Sequence, residues 1–200
     1  MRKALFMALF FVFCAPLAFA QGDFQRGEFG IMYSNNRVDT QGAFTAAGVG
    51  NDREGFNGVN VDAGYNFSRY VGVKGDFSYH QKSQDFTIPG ISGPVNVDVK
   101  LSQFMGGVKI QDNSTDTVVR PFAQLLVGVA HVEGDVTGNI IGGNVNDSDN
   151  GLAAAVGGGL DIRVHRNVDI RAIKVEYNPN RFNGETSNNI RLGVGLNFRF

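Results

Sequence analysis

Residues 190–200 read IRLGVGLNFRF. Ile190, Leu192, Val194, Leu196, Phe198 and Phe200 take every second position, and Arg191, Gly193, Gly195, Asn197 and Arg199 fill the positions between them. A period of two is the signature of a β-strand, because successive side chains point to opposite faces. One face of this strand is wholly apolar. The other holds only glycine, asparagine and arginine, which is a poor face for an ordinary protein core.

Working back along the chain, the same alternation recurs seven times. Phe29, Ile31 and Tyr33 alternate with Glu28, Gly30, Met32 and Ser34. Val59, Val61, Ala63, Tyr65 and Phe67 alternate with Asn60, Asp62, Gly64 and Asn66. Val71, Val73, Phe77 and Tyr79 follow, against Gly72, Lys74, Asp76, Ser78 and His80. A fourth run begins with Val95, Val97, Val99 and Leu101 and then changes phase to Phe104, Val108 and Ile110, so a β-bulge is expected near Ser102–Gln103. The fifth (118–132) and sixth (152–164) alternate cleanly, the latter setting Asp161 and Arg163 opposite Leu160 and Ile162. The seventh (168–177) is ambiguous in phase, with Ile170 and Ala172 early and Val175 and Tyr177 late.

Connections between the runs alternate in length. Ser68-Arg69, Gln111–Thr117 and His165–Asn167 are brief, whereas Asn35–Gly55, Gln81–Pro94, Gly134–Asn150 and Asn178–Asn189 are long and rich in Asn, Asp, Gly and Ser. Short turns at one end and long loops at the other are a property of transmembrane β-barrels. Eight strands enclose too little volume for the large apolar face, so that face is expected to point outward into lipid. The inward face then gathers Glu28, Asp62, Asp76 and Asp161 with Lys74, Arg163, Arg191 and Arg199. Buried charges persist only when paired, so these eight are expected to form an ion-pair network that plugs the lumen. Tyrosine and phenylalanine near the strand ends read as interfacial girdles, or as ordinary strand formers.

Residues 1–20, MRKALFMALFFVFCAPLAFA, have a basic start, an apolar middle and a small-residue Ala-Phe-Ala end, the pattern of a cleaved signal peptide. The barrel domain is then 21–200, which carries no cysteine and so neither thiol chemistry nor disulfides. Over the whole chain, 18 basic residues face 19 acidic ones, which excludes the basic excess of a nucleic-acid binder.

The signal peptide, the eight amphipathic strands, the terminal Phe200 and two local strings, Arg120-Pro121-Phe122 and residues 156–163 (VGGGLDIR), carry a resemblance. The chain resembles the small outer-membrane barrels of Gram-negative bacteria, a group with the OmpA transmembrane domain, the opacity proteins and the attachment–invasion proteins. It is similar to the outer membrane protein β-barrel domain family. That resemblance implies an all-β, eight-stranded antiparallel up-and-down transmembrane β-barrel in the outer membrane, with both termini in the periplasm. It also implies contact with outer-membrane lipid and lipopolysaccharide, and an assembly signal at Phe198 and Phe200 read by the barrel-assembly machinery.

Rival readings are weaker. Some barrels of this size modify lipid A, and the deacylases among them carry a His-x-Ser pair. His80, His131 and His165 each lack a serine two residues on. Asp147-Ser148-Asp149-Asn150-Gly151 has one residue too few before its glycine for a calcium loop. No enzyme activity, cofactor or metal is therefore expected. A pore needs more strands. A soluble lipid-carrying barrel would require the opposite face polarity. What remains is a structural or surface-interaction platform acting through four external loops. Apolar loop residues such as Ile88, Ile91, Ile140 and Ile141 mark partner contacts, or else pack among the loops and extend the strands.

Overall fold

The computed structural model describes residues 24–39, 53–86, 95–137, 145–182 and 185–200. The expected signal peptide, residues 1–20, and the apolar loop residues just named lie outside these described residues. Eight strands form: β1 (Gly27–Asp39), β2 (Arg53–Asn66), β3 (Val71–Phe86), β4 (Val95–Gln111), β5 (Val119–Thr137), β6 (Val145–His165), β7 (Val168–Phe182) and β8 (Glu185–Arg199). Each pairs antiparallel with its neighbour in sequence, and β1 pairs with β8 to close the barrel. Closure leaves no strand edge, so every backbone group in the wall can be satisfied without water. Gly27 and Phe200 complete the seam by exchanging backbone bonds of 2.7 and 3.0 Å.

Side-chain polarity is inverted relative to a soluble protein. Val59, Tyr65, Val73, Phe104, Leu125, Val127, Val156, Val194 and Leu196 are exposed on the outer wall, while Glu28, Asp62, Arg171 and Arg191 are buried. This arrangement rules out the soluble lipid carrier. Tyr65, Phe67, Tyr70 and Phe198 are exposed towards the short-turn end, and Tyr33 and Tyr177 towards the other.

The bulge expected at Ser102–Gln103 is absent. β4 pairs in unbroken register with β3 from Val95 to Ile110 and with β5 from Asn96 to Gln111. Its phase change is one of chemistry. Leu101, Gln103, Met105, Lys109 and Gln111 all face inward, but the inward row turns from polar to apolar as the strand leaves the bilayer. The outer row changes in the opposite sense: on β5 it is apolar from Val119 to Val129, then polar at His131, Glu133 and Asp135. The apolar stretch matches the ~9–11 residues a tilted strand needs to cross hydrocarbon. Beyond it, the same strands continue as a barrel whose inside mixes apolar residues (Phe56, Leu101, Ala130) with buried neutral polar ones (Asn36, His80, Asn180, Asn189). Real register shifts occur elsewhere, in β6–β7 at Leu160/Asp161 and Arg163/His165 and in β7–β8 at Arg171/Lys174. The last explains the ambiguous seventh run: Ala172 and Ile173 both face outward, which keeps Arg171 and Lys174 both inside.

The long connections are shorter than expected because strand consumes much of them. β1 runs to Asp39, β3 to Phe86 and β5 to Thr137, and β6 begins at Val145. Asp147–Gly151, read above against a calcium loop, is strand.

Candidate functional site: the filled interior

Inside the apolar band, six carboxylates (Glu28, Asp62, Asp76, Asp161, Asp169, Glu176) meet seven cations (Lys74, Lys109, Arg120, Arg171, Lys174, Arg191, Arg199), all of them buried. They line up because the inward row of every strand contributes, one or two from most strands and four (Asp169, Arg171, Lys174, Glu176) from β7. Arg171 joins the middle of the network, reaching Asp62 at 2.8 Å and Asp161 at 2.8 Å. Lys74 also holds Asp62, at 3.0 Å. One layer higher, Asp76 lies between Lys174 at 2.9 Å and Arg191 at 3.0 Å, and Arg191 grips Glu176 at 2.7 Å. Towards the short turns, Glu28 pairs with Lys109, Arg199 bridges Asp161 (3.2 Å) and Asp169 (2.5 Å), and Arg120 closes on Asp169 at 2.9 Å.

These pairings are what make the burial tolerable. Removing two ions from water costs several kcal/mol each, offset only when geometry is good and remaining hydrogen-bond positions are filled. Neutral side chains fill many of them. Asn60 donates to Asp76 and accepts from Lys174, Gln124 donates to Glu176, and Gln111 donates to Asp161. The Phe122 ring lies 4.7 Å from the Arg171 guanidinium carbon and 5.6 Å from the Lys74 ammonium, so two cations stack on one aromatic ring.

Of the eight residues expected from sequence, seven occupy this network. Arg163 does not. It sits half-buried at the short-turn rim, where it donates to the carbonyl oxygens of Ser114 and Thr115 in the β4–β5 turn. Arg163 still pairs with Asp169 in the β6–β7 ladder, one pair before the wall ends, so its side chain extends past the lumen to the turn. Six members were missed. Asp169, Arg171, Lys174 and Glu176 were hidden by the unresolved phase of β7. Lys109 follows from the even-numbered apolar row of lower β4. Arg120 was legible, as the residue two before Phe122 on an alternating strand.

The lumen is capped at both ends. At the short-turn mouth, Gln25 crosses the opening: its N–H donates to Asn113 O (3.2 Å), its side chain donates to Arg166 O (2.8 Å), and its carbonyl accepts from Asn66 (3.0 Å). At the other end, Leu101, Met105, Leu126, Ala130, Ala153 and Ala155 form a compact apolar cluster, against which Val38, Val132 and Phe182 pack. Beside this cluster lies a patch of neutral polar side chains: Gln103, between Leu101 and Met105 on the inward row of β4, donates to Asn178 and Asn180, both at 2.9 Å, and Ser34 Oγ lies 2.8 Å from His80 Nε2. His80 thus completes the packing of the lumen wall.

His131 lies on the outer face, 2.9 Å from Asn150 and 3.2 Å from Glu133. His165 is exposed in the β6–β7 turn. Among the described residues, no group of three or more His, Cys, Asp or Glu is placed to hold a metal ion. In the β4–β5 turn, Asp112 accepts from Arg69 (3.0 and 3.2 Å), from the Ser114 N–H (3.1 Å) and from Thr117 (3.0 Å). The Arg69 hydrogen bond, seconded by the Ser114 N–H, holds its carboxyl well below the usual carboxylate range.

A closed eight-stranded wall with charge inside and hydrocarbon outside agrees with the family comparison. The model described as "Outer membrane protein beta-barrel domain" matches residues 5–200. The chain belongs to that family. It is accordingly a bacterial outer-membrane β-barrel protein. Among solved structures, it is similar to Ail, the attachment invasion locus protein of Yersinia pestis, solved with the heparin analogue sucrose octasulfate. The TM-score is 0.61 at 20% identity, covering 88% of this chain and 99% of Ail. Neisserial surface protein A is similar at a TM-score of 0.55 and 15% identity, covering 87% of this chain and 97% of that one. These likenesses show a shared fold. No curated protein sequence matches.

Proposed function

We propose that this protein is a non-catalytic outer-membrane platform that presents its four long connections to the cell exterior, with the short turns and both termini in the periplasm. One observation carries the reading: the strands continue past the apolar band and exchange their polarity there. β5 and β6 are 19 and 21 residues long, about twice what the membrane requires. A wall this long, filled inside, supports loops at a fixed height above the bilayer, and loops on rigid scaffolds commonly carry recognition. The filled lumen favours a platform over a pore. Lipopolysaccharide is the lipid that the emerging part of the barrel meets. Phe198 and Phe200, outermost on the last strand, serve as the signal for the barrel-assembly machinery.

Charge narrows the partner. Along the long connections and the strand ends beside them stand Asp39, Asp52, Glu54, Asp85, Asp98, Glu133, Asp135, Asp147, Asp149 and Glu185, against Arg37, Arg53, Lys82, Lys100 and Arg181. An end with twice as many carboxylates as cations repels polyanions and steers cationic surfaces towards it. The sulfated ligand bound by Ail is therefore a poor model for this chain, whose partner is a basic protein surface.

Cells expressing the protein test this. They should retain a fluorescent basic polypeptide better than control cells and show no gain for heparin. A gain for heparin alone contradicts the reading. The rival, a lipid A-modifying enzyme, predicts a lost or added acyl chain in lipid A on expression; the platform predicts an unchanged profile.

A further inference from the structure

On the outer wall above the β2–β3 turn, the band of large apolar side chains is interrupted. Ala63, Gly75 and Gly106 stand opposite one another across β2, β3 and β4, all on the outward row. Ala63 and Gly75, with Tyr65, Val73, Val108 and Phe200, border a groove of about 700 Å³. Barrel packing does not call for glycine here. A Cβ on Gly75 comes no nearer than 3.9 Å to another residue, and one on Gly106 no nearer than 3.7 Å, both ordinary contacts. The lumen-facing Gly157 is different, since a Cβ there would stand 2.6 Å from Glu176 Cα. The outward glycines therefore keep space open on the membrane side of the wall.

The lower mouth of the groove lies beside Gly27 and Phe200, which line it. The preceding residue, Arg26, is exposed and forms no ion pair among the described residues; its guanidinium carbon is 5.8 Å from the Phe24 ring centre. The exposed cation of Arg26 thus belongs to the residue next to the groove's lower mouth. In the outer membrane such a groove cannot stay empty, and hydrocarbon must fill it.

We infer that the groove seats one acyl chain of a glycerophospholipid from the periplasmic leaflet, with the lipid phosphate at Arg26. The inference rests on the orientation proposed above, which places the short turns in the periplasm. The apolar lining selects the chain, and the guanidinium complements the phosphate in charge and geometry.

The test reconstitutes the full mature barrel in detergent with palmitoyl-oleoyl-phosphatidylglycerol and measures retained lipid by native mass spectrometry. One phospholipid per barrel is expected. Gly75→Leu fills the groove and displaces about two methylenes of the chain, which lowers retention roughly tenfold. Arg26→Gln also lowers it, and heat-modifiable migration on a gel verifies that both variants fold. Equal retention in Gly75→Leu overturns the inference. Retention of lipid A in preference to phosphatidylglycerol overturns it too, as does a disulfide-linked dimer from Ala63→Cys, which would make a second copy of the chain the occupant. Failure of the orientation itself is read separately: Asp116→Cys, in a short turn, should react with an impermeant maleimide only after the outer membrane is permeabilised.

Discussion

Arg171→Met probes the charge network where it is most connected. The guanidinium makes three hydrogen bonds to two carboxylates, at 2.8 Å to Asp62 and at 2.8 and 3.1 Å to Asp161, and it covers the Phe122 ring. Methionine preserves much of the volume and the contact with the ring but removes the charge. Taking one partner from a buried ion pair costs about 3–5 kcal/mol, because a desolvated charge is left behind. Here each carboxylate keeps a second cation: Asp62 keeps Lys74 at 3.0 Å, and Asp161 keeps Arg199 at 3.2 Å. The loss therefore falls at the lower end, about 3 kcal/mol. Equilibrium urea unfolding in phospholipid vesicles, followed by far-ultraviolet circular dichroism because the chain has no tryptophan, measures it. Pairing Arg171→Met with Asp161→Asn should recover part of the loss, since the second change removes a stranded charge and the two sites are in contact. A destabilisation below about 1 kcal/mol, or strict additivity in the double variant, would refute the claim that the interior is held by mutually dependent ion pairs.

Three further outcomes are expected. Gly157→Val drives its Cβ into the backbone of β7, against Val175 O and Glu176 Cα, and should cost about 1–3 kcal/mol or more in the same unfolding assay. Deleting Phe200 should slow the appearance of the folded, heat-modifiable form in cells while leaving refolding into detergent little changed; an equal effect in both assays would argue for packing against Gly27 in place of recognition by the assembly machinery. Asp112→Asn should lower the melting temperature at pH 7. The native carboxyl titrates below its unfolded value, so its contribution is complete above about pH 4 and fades as the pH falls towards the native value. The gap between variant and parent melting temperatures should therefore narrow between pH 5 and pH 2 (roughly the window for a depressed carboxylate).

Strand existence, order and the apolar outer face were all legible from period-two alternation, because a bilayer makes the outward row uniformly apolar and the alternation unusually clean. β8 is the clearest case: every even position from Ile190 to Phe198 faces outward, and Arg191 and Arg199 are buried. The reading failed where alternation is interrupted by causes that a single strand does not display. On β4, Val97, Val99 and Leu101 look like a lipid-facing row but face the lumen, because above the membrane the barrel packs like a soluble protein. On β7, a bulge moved Arg171 and Lys174 into the same lumen from positions of opposite parity. At the short-turn rim, Arg163 has the parity of an inward residue and pairs with Asp169, yet it stands so near the end of the wall that its side chain reaches the β4–β5 turn instead of the network. The Gln25 stopper had no sequence signal, since it depends on the β4–β5 and β6–β7 turns meeting the N-terminal segment.

The central claim is that charge faces the lumen and hydrocarbon faces lipid throughout the membrane-spanning wall. Single cysteines along β8 from Ile190 to Arg199, each spin-labelled in a chain spanning residues 21–200, which have no other cysteine, test it directly in vesicles by collision with oxygen. Oxygen accessibility should alternate with a period of two, high at Val194, Leu196 and Phe198 and low at Gly193, Gly195 and Asn197. High accessibility at the odd-numbered positions, or no alternation at all, would contradict the account.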